Sequence, residues 1–175
     1  MGREIRRVPP NWEHPKYTAE DHSHRIGQYR PMFDDHFDAT FVKWLADFDR
    51  IRSGDFTDIE RECYPRGLAD WLVDEGAPPD PNYYRPYKDE EATWFQVYET
   101  VSEGTPVTPP FATKEELIDY LAANGDFWDQ SRGDPPWKRK AAESFVKLEW
   151  APSMMAVSSE AGVKIFEARD GFPED

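Results

Sequence analysis

The chain has 175 residues, with 21 Lys+Arg against 35 Asp+Glu, so its formal net charge is −14 and its pI is near 4.7. A content of 38% hydrophobic and 15% aromatic residues supports a packed core and excludes a disordered chain. A mean hydropathy of −0.85, with no apolar run approaching the ~20 residues a bilayer needs, excludes a transmembrane helix.

The first 32 residues contain Pro9, Pro10, Pro15 and Pro31 and little periodicity, which predicts an extended arm held by Trp12. From residue 33 a single globular α+β domain is expected to run to residue 175, helix-dominated and packed on a small antiparallel sheet. Phe37, Phe41, Trp44, Leu45, Phe48 and Ile51 recur at spacings of three and four, the buried stripe of an amphipathic helix. Asp34 and Asp35 are placed at its start and Gly54 after its end. A shorter helix is predicted from Pro65 through Leu68, Trp71 and Leu72 to Gly76. Residues 77–87 hold too many prolines for helix or central strand and read as a loop pinned by Tyr83, Tyr84 and Tyr87.

Trp94 to Val101 alternates, with Phe95 and Val97 on one face and Gln96 and Tyr98 on the other, and reads as a strand. Thr113 and Glu116 form a capping box ahead of a helix through Leu117, Ile118 and Leu121, closed by Gly125. Asp134-Pro135-Pro136 opens a further helix through Trp137, Ala141, Phe145 and Leu148 that stops before Pro152. Met155/Val157 and Val163/Ile165 flank a turn and predict a β-hairpin.

No P-loop, dinucleotide turn, helical zinc pair or nucleophile elbow is present, so no catalytic residue and no cofactor are assigned. His14, His22, His24 and His36 fit no ligand spacing and read as surface residues rather than a metal site. Cys63 beside Tyr64 reads as packing, and paired acids such as Asp34/Asp35 and Glu115/Glu116 read as helix caps and solvated charge. Tyr83, Tyr84, Arg85 and Tyr87 carry two readings, a recognition surface or proline–aromatic packing. With Asp89, Glu90 and Glu91 they are the candidate partner-binding residues.

Charge is uneven. Residues 1–30 hold six Lys/Arg and four Asp/Glu, net +2, which leaves −16 for residues 31–175. Such a body repels phosphate, so neither direct nucleic-acid binding nor an anionic membrane surface is expected, and a protein with a basic surface is. The arginines near the N-terminus are not followed by an apolar stretch, which argues against a secretory signal and for a reducing cytoplasm.

Three stretches are distinctive together: residues 5–15 (Ile5-Arg6-Arg7-Val8-Pro9-Pro10-Asn11-Trp12-Glu13-His14-Pro15), residues 78–86, and residues 98–117. They resemble a group of uncharacterised proteins encoded by tailed bacteriophages and prophages. The resemblance implies synthesis in a bacterial host cytoplasm and carries no catalytic or binding residues with it. Joined to the acidic charge, it leads to the expectation of an interaction protein, not an enzyme, that binds and inhibits a host nucleic-acid-handling or defence protein, in the manner of an anti-CRISPR or anti-restriction DNA mimic. Two alternatives stay open: a virion or assembly accessory protein that docks on a phage protein, and a small metal-dependent hydrolase or nuclease.

Overall fold

A computed structural model describes residues 2–21, 24–74, 77–101, 104–159 and 162–171. The fold is α+β, as the sequence predicts. The chain forms two compact units, one from residues 1–32 and 87–175 and one from residues 33–86.

The first unit is built on a four-stranded antiparallel sheet. Its strands are β1 (Gly2–Val8), β2 (Trp94–Glu99), β3 (Thr105–Pro106) and β4 (Trp150–Pro152), in the order β3-β2-β1-β4. Residues 2–8, the start of the expected arm, are therefore an interior strand. Register runs from Arg3 opposite Glu99 to Val8 opposite Trp94. This strand is not legible as a strand because both faces are covered and two of its buried side chains, Arg3 and Arg6, are charged. Each finds a partner: Arg3 Nε donates to Asp126 at 2.6 Å, and Arg6 pairs with Glu4 and lies over the Tyr98 ring.

Alternation in β2 sorts the two cores. Val97, with Phe95 and Ile5, packs under the helices α4 (Lys114–Asn124) and α6 (Arg139–Leu148). Leu117, Leu121, Trp137 and Phe145 complete that core. Tyr98 points to the opposite face, where Val8, Tyr87 and Ala92 form a second cluster with Trp12 and Trp94 packed against it. Trp12 meets Tyr87 edge-on at 4.8 Å, so the residues after β1 do fold back onto the sheet at the tryptophan the sequence singles out. The capping box at Thr113 and Glu116 is present, with each side chain accepting the other's backbone N–H. α6 starts at Arg139, later than the prolines suggest, with residues 134–138 outside regular structure and Trp137 buried.

A short helix not predicted from the sequence, α5 (Phe127–Arg132), is capped by Asp126, whose side chain accepts from the backbone of Trp128 and Asp129. The predicted hairpin is present as β5 (Met154–Ser159) and β6 (Gly162–Glu167), a separate two-stranded sheet whose turn at residues 160–161 lies outside the described residues.

The second unit contains α1 (Phe37–Arg52), α2 (Asp58–Cys63) and α3 (Leu68–Asp74). α1 begins at Phe37 with His36 as N-cap, so Asp34 and Asp35 precede the helix rather than cap it. α2 was not predicted, although Thr57 and Glu60 form a full capping box ahead of it. α3 starts three residues after Pro65, and the predicted stop at Gly76 lies outside the described residues. Among the described residues no helix is long and apolar enough to cross a membrane.

Candidate interaction surface

Residues 33–86 hold six Lys/Arg against thirteen Asp/Glu, net −7. Their core is small and aromatic. Phe37, Phe41, Trp44 and Phe48 stack along α1 at ring separations of 5.5, 6.4 and 5.2 Å, and Trp71 of α3 meets both Trp44 and Phe48. Beneath them Ile51 and Trp71 are the buried hydrophobics of this unit. Arg50 ties α1 to α2 through a two-pronged bond to Glu60 at 2.6 and 2.8 Å, which holds the Glu60 carboxyl down to about 2.

That aromatic ladder fixes which side of α1 faces out. Leu45, assigned to the buried stripe from its spacing, is 42% exposed, and on the helical wheel it lies at the edge of the aromatic row. Val42 is 65% exposed. Asp38 and Asp49 are exposed at the two ends of the same row, so positions 38, 42, 45 and 49 form one outward stripe reading acid, aliphatic, aliphatic, acid. At 3.6 residues per turn these four lie within about 60° of each other around the axis and span about 17 Å along it. Ile59 on α2 and Leu72 and Val73 on α3 are also exposed.

The residues predicted as the partner-binding set are divided between the two units, Tyr83, Tyr84 and Arg85 in one and Tyr87, Asp89, Glu90 and Glu91 in the other. Tyr84 packs on Phe33 and Phe37 at 5.4 and 5.9 Å, and Phe33 pairs with it as a parallel bridge. Tyr83 accepts the Phe33 N–H through its carbonyl. The Arg85 guanidinium lies 3.1 Å from His36 Nε2 and 3.8 Å from Asp34. These contacts fit the packing reading of the loop. Tyr87 is buried in the other unit, where its hydroxyl donates to the Arg7 carbonyl at 3.3 Å. Asp89, Glu90 and Glu91 are exposed on a short 3-10 turn, where the Glu91 carboxylate accepts the Lys88 N–H.

The described histidines have different surroundings. His14 is buried, its Nε2 is 2.7 Å from the Arg30 carbonyl and its Nδ1 is 3.2 Å from the Tyr98 hydroxyl. A carbonyl only accepts, so the proton sits on Nε2 and Nδ1 is the acceptor. The single Tyr98 proton thus faces two acceptors, His14 Nδ1 and, at 3.0 Å, Gln96 Oε1. Burial pushes the His14 imidazole down to about 4. His24 is exposed, His36 contacts Arg85, and His22 lies outside the described residues. Among the described residues no three His, Cys, Asp or Glu side chains meet as a metal site.

A cleft of about 750 Å³ in the first unit is lined by Arg3, Asp126, Asp129, Asp134, Arg169 and Trp128, among others. Its buried carboxylates already have partners. Asp126 serves Arg3 and the start of α5, while Asp129 accepts from Trp137 Nε1 at 2.8 Å and from the Asp126 N–H at 3.0 Å. Asp134 is held below the usual carboxylate range by Arg132 and Arg169. This network joins β1, α5 and the segment after β6, and structure accounts for each group in it. Comparison of the chain with family models, curated proteins and solved structures finds no match.

Proposed function

We propose that the protein is an interaction protein that binds and inhibits a basic, nucleic-acid-handling or defence protein of a bacterial host, using surface carboxylates in place of phosphates. The observation that carries this reading is the placement of acid in residues 33–86. Seven more acids than bases are packed into a small helical unit, and Asp35, Asp38, Asp55, Asp58, Glu62 and Asp80 are exposed. A field of that sign steers a cationic protein surface and repels nucleic acid and anionic lipid. The alternative of an assembly protein docking by a free N-terminal arm is less well supported, because residues 2–8 are committed to an interior strand. Affinity purification of the tagged full chain from a bacterial host, washed at low and then high salt, tests the proposal. A specific basic protein released by salt supports it; a clean preparation, or a partner indifferent to salt, refutes it.

A further inference from the structure

We infer that the first unit carries a binding site for a nucleoside monophosphate, whose base stacks on the ring of Phe127 and whose phosphate meets Lys16. The site stands apart from the interaction reading above and uses other residues. Two clefts of about 890 and 810 Å³ lie wholly within this unit, and Lys16, Tyr29, Pro106, Val107 and Phe127 line both, so they are two lobes of one groove at β3. Each lobe has the size of a small-molecule site.

The aromatic rings of this groove are held in place yet uncovered. Phe127 is 55% exposed, Tyr29 42% and Trp128 37%. The Phe127 backbone N–H donates to the Val107 carbonyl at 2.8 Å, Trp128 Nε1 donates to Glu99 at 2.7 Å, and the two rings meet edge-on at 5.1 Å. A ring that is already ordered loses little entropy when a base stacks on it, and every base has a π-face to offer.

An unspent positive charge lies at the same place. The Lys16 ammonium sits 4.8 Å over the Tyr29 ring and enters no ion pair among the described residues, in a chain of net charge −14. An ammonium in that position is a point donor for a phosphate oxygen. In the smaller lobe, Gln130 Nε2 donates to the Tyr120 hydroxyl at 3.1 Å and to the Gly125 carbonyl at 3.2 Å. The Gln130 amide oxygen and the Tyr120 proton therefore remain for the edge of a base. Charge also limits the length of the ligand. A single strand brings a phosphate with every nucleotide, and a chain this acidic repels such a row, whereas one phosphate is met by Lys16.

The test titrates the full chain at low salt, by isothermal titration calorimetry, with AMP, GMP, CMP and UMP, with adenosine and ribose 5-phosphate as the separate halves of the ligand, and with a short thymidine oligonucleotide. The inference expects AMP to bind at least about tenfold more tightly than either half. Lys16→Gln should lower AMP affinity to that of adenosine and leave adenosine unaffected, and Phe127→Ala should weaken both, each with unchanged circular dichroism. The absence of binding by every monophosphate up to about 5 mM overturns the inference. So does ribose 5-phosphate binding as tightly as AMP, which marks a bare anion site, and so does the oligonucleotide binding more tightly than the monophosphates, which marks a strand groove. Undiminished AMP affinity in either variant overturns it as well. Each of these results leaves the interaction reading where it stands.

Discussion

Acidification from pH 7.5 to pH 4 is expected to remove about 3 kcal/mol of stability through His14 alone. The side chain is 6% exposed and its pKa falls from 6.5 to about 4, chiefly because burial strips water from the imidazolium. The hydrogen bond to the Arg30 carbonyl opposes that shift, and the nearby Arg6 charge adds to it. At ~1.4 kcal/mol per pH unit, the drop corresponds to the stated energy. Above pH 6.5 the ring is neutral in both the folded and unfolded chain, and the contribution is complete. As pH falls from 6.5 towards 4 the unfolded chain takes up a proton that the folded chain refuses, so stability is lost across that window. Urea unfolding of the natural chain and of His14→Gln, at a series of pH values, isolates this effect. The glutamine keeps a donor for the Arg30 carbonyl, and the carboxylates titrate alike in both proteins. The stability gap between the two should shrink by about 3 kcal/mol between pH 7.5 and pH 4. A gap that is constant across that range would refute the reasoning, and one that widened on acidification would mean that the folded protein stabilises the charged ring.

Asp126→Ala leaves Arg3 buried without its carboxylate and uncaps α5, and should destabilise by about 3–5 kcal/mol in the same unfolding assay. Gly104→Ala should cost about 2 kcal/mol or more, because residue 104 has φ +90° and an added Cβ would press on the Met32 carbonyl and the Arg6 guanidinium; a neutral result would contradict the placement of that turn. Tyr98→Phe removes the only proton shared by His14 Nδ1 and Gln96 Oε1, and a loss of about 1–2 kcal/mol is expected from thermal unfolding. Thr113→Ala breaks the capping box of α4 and should cost about 1 kcal/mol.

The elements that the sequence made legible are those whose side chains repeat in a regular pattern. α4 has a capping box, an apolar stripe and a closing glycine, and β2 alternates cleanly because different cores lie on its two sides. β1 was hidden because arginines occupy buried positions, and only their partners, Asp126 and Glu4, make that tolerable. α2 and α5 have six residues each, too few for periodicity to register, yet the capping boxes at Thr57 and Asp126 were visible signals. In the candidate surface the sequence left two readings for Tyr83 and Tyr84, and the Tyr84 ring on Phe33 and Phe37 and the Tyr83 carbonyl on the Phe33 N–H fit the packing one. The outward stripe was obscured because Leu45 satisfies the same helical spacing as the buried rings. Leu45 lies at the edge of that row, about 40° from Phe41, and is exposed.

The most direct test of the central claim is the salt dependence of affinity between the purified protein and the host protein it captures. The account predicts that affinity falls steeply as salt rises from about 50 to about 500 mM. An affinity that is unchanged across that range would contradict binding through surface carboxylates.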